Sequence, residues 1–191
     1  MMTIASMYKI FRKRRSDRGP PRGSWRSPDN RWEVALFEGA VILKDLKEGK
    51  ERELAKSDDA GEFRGDPLWA PDSSRFALWK EKDAEERIVH YIETSPKDQL
   101  QPKHFTTRYP KPGDVIDTRA PWVFFTGAAE PLAADPELIA NSYECDKLAW
   151  RADSRRLTFE FVERGFGKHN VIEIDSATRG QRVLRRLLEV D

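Results

Sequence analysis

The sequence predicts an all-β chain: an incomplete β-propeller of about three to four antiparallel four-stranded blades, preceded by a disordered N-terminal arm. Three observations predict it. A Trp-to-Asp turn recurs three times, and each copy runs straight into a strand-like segment. The copies are spaced by 43 residues (Asp29 to Asp72) and then by 81 (Asp72 to Asp153). Helical periodicity is scarcely found anywhere.

The turn reads Trp69-Ala70-Pro71-Asp72-Ser73-Ser74-Arg75-Phe76 in one copy and Trp150-Arg151-Ala152-Asp153-Ser154-Arg155-Arg156-Leu157 in another. The third is Trp25-Arg26-Ser27-Pro28-Asp29-Asn30-Arg31-Trp32, shifted by one at the Trp. Pro28 and Pro71 fix φ, and Asp29, Asp72 and Asp153 can cap backbone N–H groups two residues on. Each Trp belongs to the preceding strand, where it can pack between layers. A propeller blade takes roughly 40–45 residues, so 43 is one unit and 81 is close to two. On that count the proline-rich middle is a degenerate blade. An Asp repeated at one place in every unit is a turn residue; a catalytic carboxylate is used once.

The strands follow in order. Trp32 to Phe37 alternates Val34 and Leu36 against Ala35 and Phe37, apolar on both faces, as in a strand packed on two sides. Ala40 to Leu46 is a second strand, Gly49 a turn, and Glu51 to Ala55 a weak third strand. Arg75 to Trp79 repeats the two-sided pattern, and Ile88 to Ile92 is β-branched and aromatic. Ser95 to Pro136 holds seven of the twelve prolines, so irregular chain is expected there, with one or two short strands such as Trp122 to Phe125. Pro131 to Ala140 has room for a helical turn. Leu157, Phe159 and Phe161 line one face of a further strand. Val171 to Ile174, a turn near Gly180, and Val183 to Val190, read as strand, complete the chain.

Composition narrows the function. Aromatic residues make up 10% of the 191 residues, with 6 Trp, 10 Phe and 4 Tyr, more than a disordered chain carries. Apolar runs such as Ala40 to Leu43 fall far short of the roughly 20 residues of a membrane helix. No secretory signal is visible at Met1 to Phe11, which leaves the cytoplasm as the default compartment. A lone cysteine, Cys145, excludes an intramolecular disulfide and a multi-cysteine zinc site. The net charge of +1 hides an asymmetry. Lys9 to Arg26 holds eight basic residues against Asp17, a net +7, while the remaining 26 basic and 32 acidic residues give −6. Residues 1–24 form a basic, Pro/Gly-interrupted arm whose expected partner is polyanions, bound without sequence preference. Residues 25–191 form the partial propeller.

No catalytic, cofactor-binding or metal-binding residue emerges. His90, His104 and His169 lie in separate segments. Gly165-Phe166-Gly167 is a lone G-x-G between strands and reads as a hairpin turn. Cys145 lacks a His or Asn partner, and Glu85-Glu86 reads as a solvated hairpin.

The Trp-x-Pro-Asp-x-x-Arg turns resemble the N-terminal β-propeller of dipeptidyl peptidase IV-like enzymes, in the prolyl oligopeptidase family of serine peptidases. More specific is the stretch Ser95-Pro96-Lys97-Asp98-Gln99-Leu100-Gln101-Pro102 leading into Tyr109-Pro110-Lys111-Pro112-Gly113-Asp114. The third copy, continuing through Phe159-Glu160-Phe161-Val162-Glu163-Arg164-Gly165 and Val171-Ile172-Glu173-Ile174-Asp175, fits too. The resemblance covers Trp25 to Glu189. It implies a substrate-gating propeller over a hydrolase domain with a Ser, Asp and His triad. This chain departs from the family by showing no Gly-x-Ser-x-Gly elbow; Gly61-Glu62-Phe63-Arg64-Gly65 has Phe at the nucleophile position. The family's paired glutamates for the substrate amine are also missing, and the comparable stretch reads Ser57-Asp58-Asp59-Ala60-Gly61-Glu62-Phe63. The expectation is therefore a non-catalytic propeller portion that works with a separate chain supplying hydrolase and further blades, and meets peptide substrate only in a completed enzyme. The alternative is a free-standing interaction module that pairs through exposed sheet edges, with itself or a partner.

Overall fold

A computed structural model describes residues 24–189, a succession of strands without a helix among the described residues. The basic arm lies, up to residue 23, outside them. Blade 1 consists of β1 (Ser24–Arg26), β2 (Trp32–Phe37), β3 (Ala40–Asp45) and β4 (Lys50–Lys56), adjacent in space in chain order. Blade 2 begins with β5 (Glu62–Trp69) and β6 (Arg75–Lys82). The chain then leaves the sheet for a two-stranded hairpin, β7 (Ile88–Glu93) and β8 (Lys103–Arg108). It returns as β9 (Thr118–Phe125) and β10 (Leu132–Ala133), giving the order β10-β9-β6-β5. Blade 3 is β11 (Ser142–Trp150), β12 (Arg156–Glu163), β13 (Lys168–Asp175) and β14 (Gln181–Glu189). All pairings are antiparallel. Three blades, none joined to its neighbour by a strand ladder, make an incomplete all-β propeller.

The proline-rich middle is not a degenerate blade of its own. β9 pairs with β6 along its length, from Arg75 opposite Phe125 to Lys82 opposite Thr118. The 81-residue spacing is one blade enlarged by the hairpin and its flanking loops. Such an insertion costs little because loop-closure entropy grows slowly with length. Spacing counts residues and cannot tell an added blade from an added loop. Pro121 even occupies a central strand. Its carbonyl accepts from Ala134 N–H at 3.0 Å, so the donor it lacks faces the end of β10 and forfeits only the last rung. Pro131 to Ala140 forms β10 and a turn where a helical turn had room. The Gln181 side chain holds this segment, accepting from Asp135 N–H and donating to Ala133 O, each at 2.8 Å.

Alternation along the strands places the core in two layers. Phe76 and Leu78 of β6, Phe124 of β9 and Phe63 of β5 face blade 1, where they meet Val34, Val41 and Leu43. Ala77 and Val123 face blade 3, where they meet Leu157, Phe159, Phe161, Ile172 and Ile174. Blade 2 is thus buried on both faces, as the pattern of Arg75 to Trp79 predicts. The same expectation fails for Trp32 to Phe37. Val34 is buried, but Phe37 is 62% exposed, because no sheet among the described residues covers the far side of blade 1. The first layer is aromatic: Phe76 stacks on Phe124 at 5.2 Å, and Phe63 stands edge-on to Phe124 at 5.4 Å and to Trp122 at 5.5 Å. Lys80 lies over Phe63 and Trp122, its ammonium 2.7 Å from Asp58. Gly61, at φ 143°, permits this approach, since a Cβ there would come within 2.7 Å of the Glu81 carbonyl.

Phe124→Ala should lower unfolding free energy by about 3–5 kcal/mol through the cavity it opens. Phe37→Ala should stay within about 0.5 kcal/mol in dilute protein, because most of that residue already faces solvent. Urea unfolding followed by Trp fluorescence separates the two. A comparable loss in both would place Phe37 in the core.

Candidate functional site

The three repeated turns share one hydrogen-bond pattern. The carbonyls of Ser27, Ala70 and Arg151 accept from the amides of Asn30, Ser73 and Ser154 at 2.9, 3.0 and 3.0 Å. Asp29, Asp72 and Asp153 each accept, through Oδ1, the amide two residues on: Arg31 at 3.0 Å, Ser74 at 2.9 Å and Arg155 at 3.0 Å. The residue after each Asp is left-handed, with φ of 58° at Asn30, 60° at Ser73 and 56° at Ser154. Pro28 and Pro71 enter two of the turns; Ala152 holds that place in the third. Trp69 leans on Phe76 at 4.9 Å, and Trp150 Nε1 donates to the Leu68 carbonyl of the preceding blade at 2.8 Å.

The turns also bind one another. Asp29 N–H donates to Ser73 Oγ at 3.1 Å, and Asp72 N–H to Ser154 Oγ at 3.0 Å. Ser73 and Ser154 are buried. These serines were not singled out from the sequence, although a Ser after Asp in two copies was the available signal. Two further carboxylates were missed. Asp45 and Asp175 end the third strands of blades 1 and 3, cap the turns that follow, and pair with Arg31 at 3.0 Å and Arg155 at 2.6 Å. Backbone donors at Arg156 and Arg155, with the Arg156 side chain, pull the Asp153 carboxyl down to about 2. The Arg155 guanidinium holds the Asp175 carboxyl well below the usual carboxylate range.

The opposite strand ends carry the hairpin and the longer loops. The hairpin leaves after β6, and Tyr109-Pro110-Lys111-Pro112-Gly113 closes its base. Tyr109 N–H donates to the Arg87 carbonyl at 3.0 Å. Asp114 Oδ2 accepts from Lys111 N–H at 2.7 Å, and Gly113 takes φ 95° in that turn. Arg164 of the β12–β13 turn donates to the Asp114 carbonyl at 2.5 Å and ties this loop to blade 3. A recess of about 230 Å³ lies between Ile88, Tyr109 and Lys111. Tyr109, in its lining, is exposed; Phe166 of the β12–β13 turn is exposed too and packs on Tyr143 at 5.0 Å.

His90 and His104, distant in sequence, meet on neighbouring strands of the hairpin with ring nitrogens 3.1 Å apart. His169 pairs with Glu160 at 3.1 Å. No three His, Cys, Asp or Glu side chains among the described residues converge as a metal site. Cys145 is buried, which pushes its thiol up. Phe63, at the position of a nucleophile between Gly61 and Gly65, is a core side chain. No helix among the described residues is long and apolar enough to cross a membrane.

The model of the dipeptidyl peptidase IV N-terminal region matches residues 66–189, which takes in nearly all of blade 2, the hairpin and blade 3. The chain belongs to this dipeptidyl peptidase IV N-terminal family. Its fold is similar to that of dipeptidyl peptidase 4 from Porphyromonas gingivalis, at 13% identity and a TM-score of 0.58, covering 86% of this chain and 25% of that one. A Bacteroides ovatus protein described as a dipeptidyl aminopeptidase IV aligns at 11% identity and a TM-score of 0.46, over 95% of this chain and 32% of that one. The chain therefore spans between a quarter and a third of these peptidases. No curated protein sequence matches it.

Two outcomes test the turns of this dipeptidyl peptidase IV N-terminal region. Ser154→Ala removes the acceptor of the Asp72 amide and should cost about 1 kcal/mol, read as a fall of roughly 2–4 °C in the thermal midpoint. An unchanged midpoint would deny the interblade bond. Acid should also unfold the chain in a defined window. Asp153 holds its proton in the folded state only near about 2, against an ordinary 3.8, so the unfolded chain takes up protons first. Its contribution is present above the ordinary value and is lost as pH falls towards about 2. Thermal midpoints should be flat from neutrality down to mildly acidic pH and then drop. Asp153→Asn should flatten part of that drop.

Proposed function

We propose that these residues are the non-catalytic propeller portion of a dipeptidyl peptidase IV-like serine peptidase, shaping access to a hydrolase domain that lies outside them. The observation that supports this reading most directly is the family match across blades 2 and 3, together with a partial propeller whose end faces lie open. The peptidase names belong to the matched proteins; catalysis and peptide substrate come to this chain only when hydrolase and further blades complete it. The gating role rests on the insertion end. There the hairpin, the Tyr109–Gly113 loop and the Tyr143–Phe166 pair project from a rigid stack and form a rim that can narrow an opening. Tyr109, Pro110, Lys111 and Gly113 serve that rim by fixing the base of the hairpin.

The second reading, a free-standing interaction module, is favoured by the hairpin itself. It is a two-stranded sheet with exposed Ile88, Tyr91 and Ile92, and each of its strands has an outer edge that pairs with no described strand.

The purified chain should not hydrolyse an Xaa-Pro chromogenic substrate. Turnover abolished by a serine-directed covalent inhibitor would overturn the reading. Gating is tested by supplying the chain to a dipeptidyl peptidase IV-like enzyme lacking the corresponding blades. Cleavage of a small chromogenic dipeptide should persist while cleavage of an unfolded protein falls. An unchanged preference for size would sink the gating role.

A further inference from the structure

The hairpin of β7 and β8 has little to hold it. Neither strand pairs with a blade, and within the two strands only Val89 and Lys103 are even partly buried. A two-stranded sheet with no covered face is marginal in water. Two ring pairs bridge its strands beside the backbone ladder, one on each face. On one face Tyr91 stacks on Phe105, directly opposite, with ring centroids 5.3 Å apart. On the other, His90 meets His104.

These histidines are diagonal neighbours. Register sets His90 opposite Thr106 and Ile92 opposite His104, so the two imidazoles share a face one step apart. Their rings lie 15° from parallel, with His90 Nδ1 3.1 Å from His104 Nε2. That separation suits two uses. It is a hydrogen bond when one nitrogen carries the proton and the other accepts. It is also the bite of a transition ion. With metal–nitrogen bonds of about 2.0–2.1 Å, two neighbouring ligands stand about 2.9 Å apart at a right angle and about 3.4 Å apart at the tetrahedral angle. The observed distance falls between the two. Both histidines are exposed, so an ion reaches them without opening the fold. The exchange adds no charge to either ring. The shared proton leaves its nitrogen, solvent returns one to the far nitrogen of that ring, and Nε2–H of His90 and Nδ1–H of His104 then face away from the ion. Arg108, on the same face, has its charge met by Glu86.

We propose that His90 and His104 form a two-imidazole site for a divalent transition ion of the zinc, copper or nickel kind, and that the ion pins β7 to β8. Nitrogen donors select these ions over calcium and magnesium, which take oxygen. No third His, Cys, Asp or Glu among the described residues joins the pair. Water therefore fills the remaining positions, and the ion exchanges where a closed four-ligand site would lock it in. An ion that binds only the paired strands favours them over the separated ones in proportion to its saturation of the site, so opening of the hairpin becomes rarer as the ion is added. The proposal goes beyond the peptidase reading and requires only the hairpin register.

Calorimetric titration of the full chain, stripped with EDTA, with zinc chloride tests it. One ion should bind per chain. His90→Ala and His104→Ala should each weaken binding by about tenfold or more, at least what a metal site loses with a supporting group. Circular dichroism should not change, because both side chains are exposed. His169→Ala is the control: the third histidine of the chain pairs with Glu160 on blade 3, and its loss should leave binding as it was. Hydrogen exchange reads the pinning. With zinc at about a hundred times Kd, the hairpin amides should exchange up to about a hundredfold more slowly, and those of the blades at their former rates. Calcium chloride should neither bind nor protect. No zinc binding up to millimolar concentration would overturn the proposal. Binding that survives removal of both hairpin histidines, or that is lost in His169→Ala, would place the ion elsewhere and overturn it equally. Zinc held by the pair without slower exchange in the hairpin would overturn the pinning.

Discussion

The distance between blades is set by a backbone group that its own turn cannot satisfy. In each repeat the Asp carboxylate takes the amide two residues on, and the carbonyl two residues before the Asp takes the next one. The Asp amide itself is left without a partner inside the turn. A hydrogen bond is gained when an acceptor outside the turn takes that amide, as happens at Asp29 and Asp72. The left-handed residue of the next turn provides it: φ near 60° swings Ser73 or Ser154 back towards the preceding blade. Satisfying one amide therefore fixes where the next strand begins.

Once strand starts are registered, parity does the rest. β2, β6 and β12 leave their turns in the same phase, so the residue four after the Asp faces the preceding blade (Phe76, Leu157) and the residue five after it faces the next (Val34, Ala77). In blade 2 the period of two sends Phe76 and Leu78 one way and Ala77 the other, and both layers close. Large aromatics fill the first layer. The second puts small Ala77 and Val123 opposite Phe159 and Phe161, a pairing of small with large that fills space at native density. A shift of one residue at any turn would exchange these sets and expose both.

The turns and most strands were legible in the sequence because their causes are local. Pro and Asp at a fixed interval specify the turn, and alternation specifies the strand, so Trp32 to Phe37 and Val171 to Ile174 could be read directly. What escaped was non-local. The 81-residue interval looked like two blades because chain length carries no information on where a hairpin is inserted. Phe37 looked like core because alternation shows that a face is apolar, not that something covers it. Ser73 and Ser154 looked like ordinary turn residues because their partners are 44 and 82 residues away. His90 and His104 looked unrelated because only the hairpin register brings them together. The family resemblance, resting on local turns and on Tyr109 to Gly113, was legible for the same reason as the turns.

The two ends of the blades consequently follow different rules. At the turn end the positions that join the turns are constrained: replacing Ser73 or Ser154 disturbs two blades at once. At the other end the connection between β6 and β9 is free to lengthen, because β9 finds β6 by side-chain packing whatever lies between. The hairpin and the Tyr109–Gly113 loop exploit that freedom. Arg164 then removes part of it, fastening the loop to blade 3 so that the projecting strands hold a defined direction. A scaffold that registers itself at one end can therefore carry long, shaped insertions at the other without loss of the stack.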